Sequence, residues 1–274
     1  MAEAPGSVRQ GTPLAPAPRS WRQVALCAAA ALSLLACDER HGATTAGAAA
    51  PRFVEKIVAP RQATSGGLPP LLVMLHGLGS NESDLVPIGV ELDPRLLIVG
   101  VRAPRPYHQG FAWFRIDWRP DGSIVPDAAQ AKETLGDVVR WLGEAPKRLG
   151  ADAKQVYLLG FSQGAMMSLG VLRTAPERVA GVIALSGAFD DALFGQSHAA
   201  PEAIARVALF AAHGTNDDLL PVSDGRKIRD AFHPQVRDFT YNEYPIPHAI
   251  GPTEIQDVAA WLADRLDHPN QAER

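Results

Sequence analysis

Short, almost unbroken apolar runs alternate along the chain with segments whose apolar residues recur every three or four positions. "LLVML" from Leu71, "LLIVGV" from Leu96, "VYLLG" from Val156, "VAGVIAL" from Val179 and "ARVALFAA" from Ala205 are runs of the first kind. Their continuity predicts strands buried on both faces. "DFTYNEY" from Asp238 alternates instead, as a strand with one wetter face does. In the second kind of segment, Ala128, Ala131, Leu135, Val138, Val139 and Leu142 mark one helical face, and Asp127 with Gln130 forms a candidate cap pair before it. "QGAMMSLGVLR" from Gln163, a stretch from near Val222 and "TEIQDVAAWLADRL" from Thr253 predict further helices. Buried strands separated by helices predict an α/β fold with a mostly parallel sheet covered by helices on both faces. One domain over residues 53–266 accommodates them, with a polar tail at 267–274 and no internal repeat.

Composition narrows the function classes. Hydrophobic residues are 46% of the 274, charged residues 20%, and the net charge is −4. With no long basic run, nucleic acid is not an expected partner. The two cysteines, Cys27 and Cys37, both precede the domain, so its body has neither a disulfide nor a cysteine-based metal site.

The N-terminus has a separate character. Met1 to Ala17 is rich in Pro, Ala and Gly, a composition expected to be disordered. Arg19 and Arg22 then precede an apolar run from Val24 to Ala36. That is short of the roughly 20 apolar residues of a membrane span, and it fits a secretory leader. "LLAC", ending at Cys37, resembles a bacterial lipoprotein signal, with Leu35 where a small residue is usual. The expectation is a leader over residues 1–37, a lipid on Cys37, a flexible tether over 38–52, and an exported protein anchored in a bacterial envelope. Contact with a membrane would come only through that lipid.

The sharpest chemical signal is Gly160-Phe161-Ser162-Gln163-Gly164, between a predicted strand and a predicted helix. A strand that turns abruptly into a helix forces its central residue into a strained conformation. Side chains two places to either side would meet neighbouring backbone, so glycines flank it. The result is an exposed serine hydroxyl, with the Gln163 amide unpaired at the helix start and available to an oxyanion. Such a serine needs a base, and the base an orienting acid, in the chain order Ser, acid, His. Of the downstream histidines, His268 lies in the tail, His233 ends a helical stretch, His198 is in a loop before a strand, and His213 ends a strand ahead of the acids. His248 follows the last strand and is the expected base. The acid is one of the adjacent pair Asp217 and Asp218, after the strand ending at His213.

"LHGLGSNESDL", "GFSQGAMMSL", "HGTNDDLLPV" and the His248 loop together resemble the phospholipase/carboxylesterase family of α/β hydrolases, which includes acyl-protein thioesterases and small bacterial carboxylesterases. The resemblance spans roughly Leu71 to Leu266. It implies an α/β-hydrolase fold and a cofactor-free serine hydrolase acting on small carboxylic esters or thioesters. It implies that Asp217, fifth in "HGTND", is the acid and that the Leu78 amide joins that of Gln163 in the oxyanion hole. It leaves His76 as a support for its loop. Pro247-His248-Ala249 stands where the family often has Gly-His-Ser. Other readings of the same fold are a peptidase, a polyester depolymerase, or a tethered binding protein without catalysis. The aromatic segment from Tyr107 to Gly122 is expected to be a loop whose rings either pack onto the core or line an acyl pocket, the second reading, with Trp113 and Phe114 as lining, being the one adopted.

Overall fold

The computed structural model describes residues 53–64, 67–119, 124–195 and 199–268. The expected leader, Cys37 and the whole tether lie outside the described residues, as do His198 and the tail from residue 269 onward. The chain begins with β1 (Glu55–Val58), β2 (Leu71–Leu75), α1 (Val86–Leu92) and β3 (Leu97–Val101). Two short hairpins follow, β4 (Arg105–Tyr107) with β5 (Gly110–Ala112), and β6 (Ile116–Trp118) with β7 (Ile124–Pro126). Then come α2 (Ala128–Leu149), β8 (Val156–Phe161), α3 (Gln163–Thr174), β9 (Gly181–Leu185), and the short α4 (Asp191–Phe194) and α5 (Pro201–Ala205). β10 (Ala208–Gly214), α6 (Val222–Phe232), β11 (Phe239–Tyr244) and α7 (Pro252–Asp267) complete the order.

Seven strands form one sheet in the order β1-β3-β2-β8-β9-β10-β11, and every pairing is parallel except β1 with β3. The apolar runs are continuous because both faces of the sheet are covered. Leu71, Val73 and Leu75 of β2 face a layer that includes Ala131, Leu135 and Leu142 of α2, the α3 interior and Phe232 of α6. Leu72 and Met74 face the opposite layer, with Leu92 of α1 and Val258 and Leu262 of α7. Alternation with period two divides one strand between two cores. Each fully buried leucine contributes about 1.5–3 kcal/mol of hydrophobic burial.

Helix ends follow local chemistry. Asp127 Oδ1 accepts from Gln130 N at 3.0 Å and caps α2. The Gln130 side chain does not reciprocate; its Oε1 accepts from Arg115 N at 3.0 Å and ties down the preceding segment. Gly150, at φ 69°, ends the helix in the left-handed conformation that a side chain would disfavour. The short helices α1, α4 and α5, the strand β1 and the two hairpins were not foreseen in the pattern. β1 is a four-residue antiparallel edge with no continuous apolar run. The segment expected as a loop is instead the two hairpins, with residues between them packed into the core.

Candidate active site

Three loops at the carboxyl end of the sheet carry the expected residues, after β8, β10 and β11. Ser162 sits at φ 54° and ψ −116°, between the last residue of β8 and the first of α3. A side chain on Gly164 would run into the carbonyl oxygens of Leu75 and His76, and one on Gly160 into the Gly164 carbonyl and Ser168 Oγ. Both glycines are therefore steric requirements of the corner, which presses the start of α3 against the end of β2.

Asp217 is buried, and its Oδ1 accepts from Leu219 N at 3.0 Å and Leu220 N at 2.8 Å. Its other oxygen, Oδ2, lies 2.7 Å from His248 Nδ1. A carboxylate oxygen only accepts, so Nδ1 carries the proton and Nε2 is left as an acceptor. That Nε2 lies 2.9 Å from Ser162 Oγ. The result is a continuous chain from carboxylate through imidazole to hydroxyl, in which the imidazole can take the serine proton during attack on an acyl carbon. Asp218 is exposed and plays no part in the chain. Pro247 and Ala249 do not prevent His248 from reaching the serine. The Phe161 ring lies 5.0 Å from the His248 ring and tilted to it, one wall of the histidine's position.

The loops bearing Asp217 and His248 are stitched together. Thr215 N donates to Tyr244 O at 2.7 Å and Asn216 N to Ile246 O at 3.1 Å. Gly214 lies under the Ile246 and Pro247 carbonyls, where a side chain would collide. Beneath them His213 is fully buried, its Nε2 at 2.8 Å from Leu220 O and 3.4 Å from Asp217 Oδ2. Its place is structural, under the acid. His233 caps the end of α6 beside Phe239 and His268 follows α7, both apart from the Ser162–His248–Asp217 chain.

The Leu78 and Gln163 amides, expected to face an oxyanion, donate to no other group among the described residues. His76 supports the Leu78 loop from within. Its Nδ1 lies 2.7 Å from Gly77 O, and its Nε2 accepts from Ala103 N at 3.1 Å. Burial lowers its pKa and keeps the ring neutral. The β5 strand braces the same loop: Gly79 N donates to Phe111 O at 2.9 Å and Phe111 N to Ser80 O at 2.8 Å.

Trp113 and Phe114 take the core alternative and do not line a pocket. Neither has any exposed surface, and both pack in the α2–α3 core rather than along an opening. An aromatic segment reads the same whether it shelters in a core or in a pocket. The sequence reading also missed a role for the Gln163 side chain. Its Oε1 accepts from Trp113 N at 2.8 Å and its Nε2 donates to Phe114 O at 2.7 Å. The "GFSQG" pattern draws attention to the Gln163 amide and gives no sign of that second use.

Among the described residues, no group of three or more His, Cys, Asp or Glu is arranged to hold a metal ion. No described helix is long and apolar enough to cross a membrane.

The sequence profile described as phospholipase/carboxylesterase matches residues 54–266 of the chain. The chain belongs to the phospholipase/carboxylesterase family. It is an esterase-type serine hydrolase. Acyl-protein thioesterase 1 of Saccharomyces cerevisiae is 26% identical over 159 residues, covering 57% of this chain and 69% of that protein. The protein of the same name from Eremothecium gossypii is 27% identical over 217 residues, covering 74% and 90%. Among solved structures, the Bacillus cereus carboxylesterase superposes with a TM-score of 0.67 at 19% identity, covering 77% of this chain and 94% of its own. Likeness at that identity shows the α/β-hydrolase fold. The Ser162 corner and the loops after β10 and β11 all fall inside the family match.

Proposed function

We propose that this family member cleaves carboxylic esters or thioesters through an acyl-enzyme on Ser162, with His248 as base and Asp217 as its orienting acid. The observation that carries the reading is the hydrogen-bond chain itself: 2.9 Å from Ser162 Oγ to His248 Nε2, and 2.7 Å from His248 Nδ1 to Asp217 Oδ2. Ser162 Oγ attacks the acyl carbonyl while His248 takes its proton. The Leu78 and Gln163 amides receive the charge that develops on the carbonyl oxygen. His248 then protonates the departing alcohol or thiol. Water attacks the acyl-enzyme by the same route, with His248 again the base, and frees the acid. The relatives named acyl-protein thioesterase support thioesters alongside oxygen esters as substrates. A fluorophosphonate probe tests the reading: it should label the protein once per chain and leave Ser162→Ala unlabelled. Labelling of Ser162→Ala at the native rate would refute the nucleophile.

The envelope anchor is a second part of the proposal and rests on the sequence around Cys37. Cys37→Ala should lose incorporation of a palmitate analogue and move the enzyme from the membrane to the soluble fraction. Unchanged membrane fractionation would count against the lipid.

A further inference from the structure

Pairing between β2 and β8 ends at Leu75 with Gly160, so the sheet itself does not set the direction of the Leu78 amide beyond it. A hydrogen bond on the Gly77 carbonyl does, and one on the His76 carbonyl anchors the peptide unit before it. A peptide unit is planar and its N–H points away from its C=O, so fixing the Gly77 carbonyl fixes the Leu78 N–H. The Gly77 carbonyl accepts from His76 Nδ1 at 2.7 Å. The carbonyl one residue earlier, that of His76, accepts from Trp113 Nε1 at 2.8 Å. The indole lies beside the His76 ring, with centroids 5.5 Å apart. At the other end of the same residue, the Trp113 main-chain N–H donates to Gln163 Oε1 at 2.8 Å. Gln163 supplies the second oxyanion amide. Trp113 thus grips the Leu78 segment through its side chain and the Gln163 segment through its backbone, in a place with no exposed surface. Buried hydrogen bonds without competing water hold their geometry firmly.

We propose that Trp113 is a positioning residue for the oxyanion, holding the Leu78 and Gln163 amides in one frame; this rests on Ser162 being the nucleophile. The aromatic ring keeps the core filled, and the indole N–H aligns the amides.

Trp113→Phe separates these two contributions, because it keeps an aromatic ring and deletes the donor. Active sites are counted by fluorophosphonate titration, so unfolded protein does not enter the rates. For a p-nitrophenyl ester, kcat per site should fall by about 10- to 100-fold with KM within about twofold, since the lost interaction acts only on the transition state. For the matching thionoester, kcat should fall by less than about threefold, because the charge develops on sulfur, a weak acceptor that gains little from the amides. Gln163→Met removes the bonds at the other end and should give the same split; it decides the question if Trp113→Phe does not fold. Trp141→Phe loses a partly buried indole bond, to Glu55 Oε1 at 2.7 Å, on α2 away from the serine, and should keep native kcat. Equal slowing of ester and thionoester, or unchanged kcat in the folded variants, would overturn the brace. A Ser162→Ala protein with native turnover would instead overturn the reading of the nucleophile.

Discussion

The loops that carry Asp217 and His248 are joined to each other by main chain, whereas the segments that carry the Leu78 and Gln163 amides are joined by side chains. On the acid–base side, the Thr215 and Asn216 amides reach the Tyr244 and Ile246 carbonyls, and Gly214 lets the two loops cross. On the oxyanion side, main-chain bonds tie the Leu78 loop to β5, but the link on to Gln163 runs through an indole and a carboxamide, with an imidazole holding the Gly77 carbonyl. Main-chain joints accept most residues, provided the one glycine stays. Side-chain joints depend on the identity of Trp113, His76 and Gln163. The two halves should therefore fail in different ways.

The largest effect is expected from the acid. Asp217→Asn should lower kcat by about 10⁴-fold, because it favours the wrong imidazole tautomer. Ester kinetics on the purified variant measure this, and a loss below tenfold would remove Asp217 from its role. Next comes Gly214→Ala, whose new Cβ would push against the Ile246 and Pro247 carbonyls beneath His248. Displacing the base by about an ångström should cost about 10²-fold in kcat, with no preference between ester and thionoester. That lack of preference is the sharpest contrast with Trp113→Phe, and a thionoester-sparing loss here would dissolve the comparison.

A smaller effect is set by pH at the end of the base loop. Glu254 is buried in the first turn of α7, and its Oε2 accepts from Gly251 N at 3.1 Å. Burial raises its pKa from 4.5 to about 7. The folded state thus holds the proton more tightly than the unfolded chain. The resulting stability is fully present below pH 4.5 and is lost as pH rises through about 7. Over that window the loss is roughly 3 kcal/mol. Urea unfolding at pH 5 and pH 8 should show it in the native protein and not in Glu254→Gln; equal pH slopes would refute it. The smallest effect belongs to Asp218→Asn. Its exposed carboxylate touches nothing in the hydrogen-bond chain, so kcat should stay within about twofold.

The same division explains what could be read from sequence. Ser162 and His248 stand out because the proposed chemistry demands particular residue types after particular strands, Asp217 is separated from Asp218 only by the family resemblance, and the glycines around Ser162 are forced by sterics. The buried strands were legible because a sheet covered on both faces leaves continuous apolar runs. β1 was not, because an edge strand of four residues with two exposed positions has no such run. Trp113 misled for a related reason: apolarity says that a ring is sheltered, and not by what. The partner of its indole is a carbonyl, which every residue has, so no pattern of side chains points to His76 O.

The order of strands in the sheet also has a consequence in time. Leu71 of β2 pairs with Val156 of β8, and the two hairpins lie in the chain that this pairing closes into a loop. Ser162 and His248 are 86 residues apart and lie beyond β8 and β11. Contacts of such long sequence separation form slowly, because loop closure must precede any gain from pairing. The two hairpins of the Trp113 segment are local and can form early, but their docking surface exists only once β2 and β8 are side by side. Turnover should therefore return last when the unfolded enzyme refolds, well after helical signal has recovered.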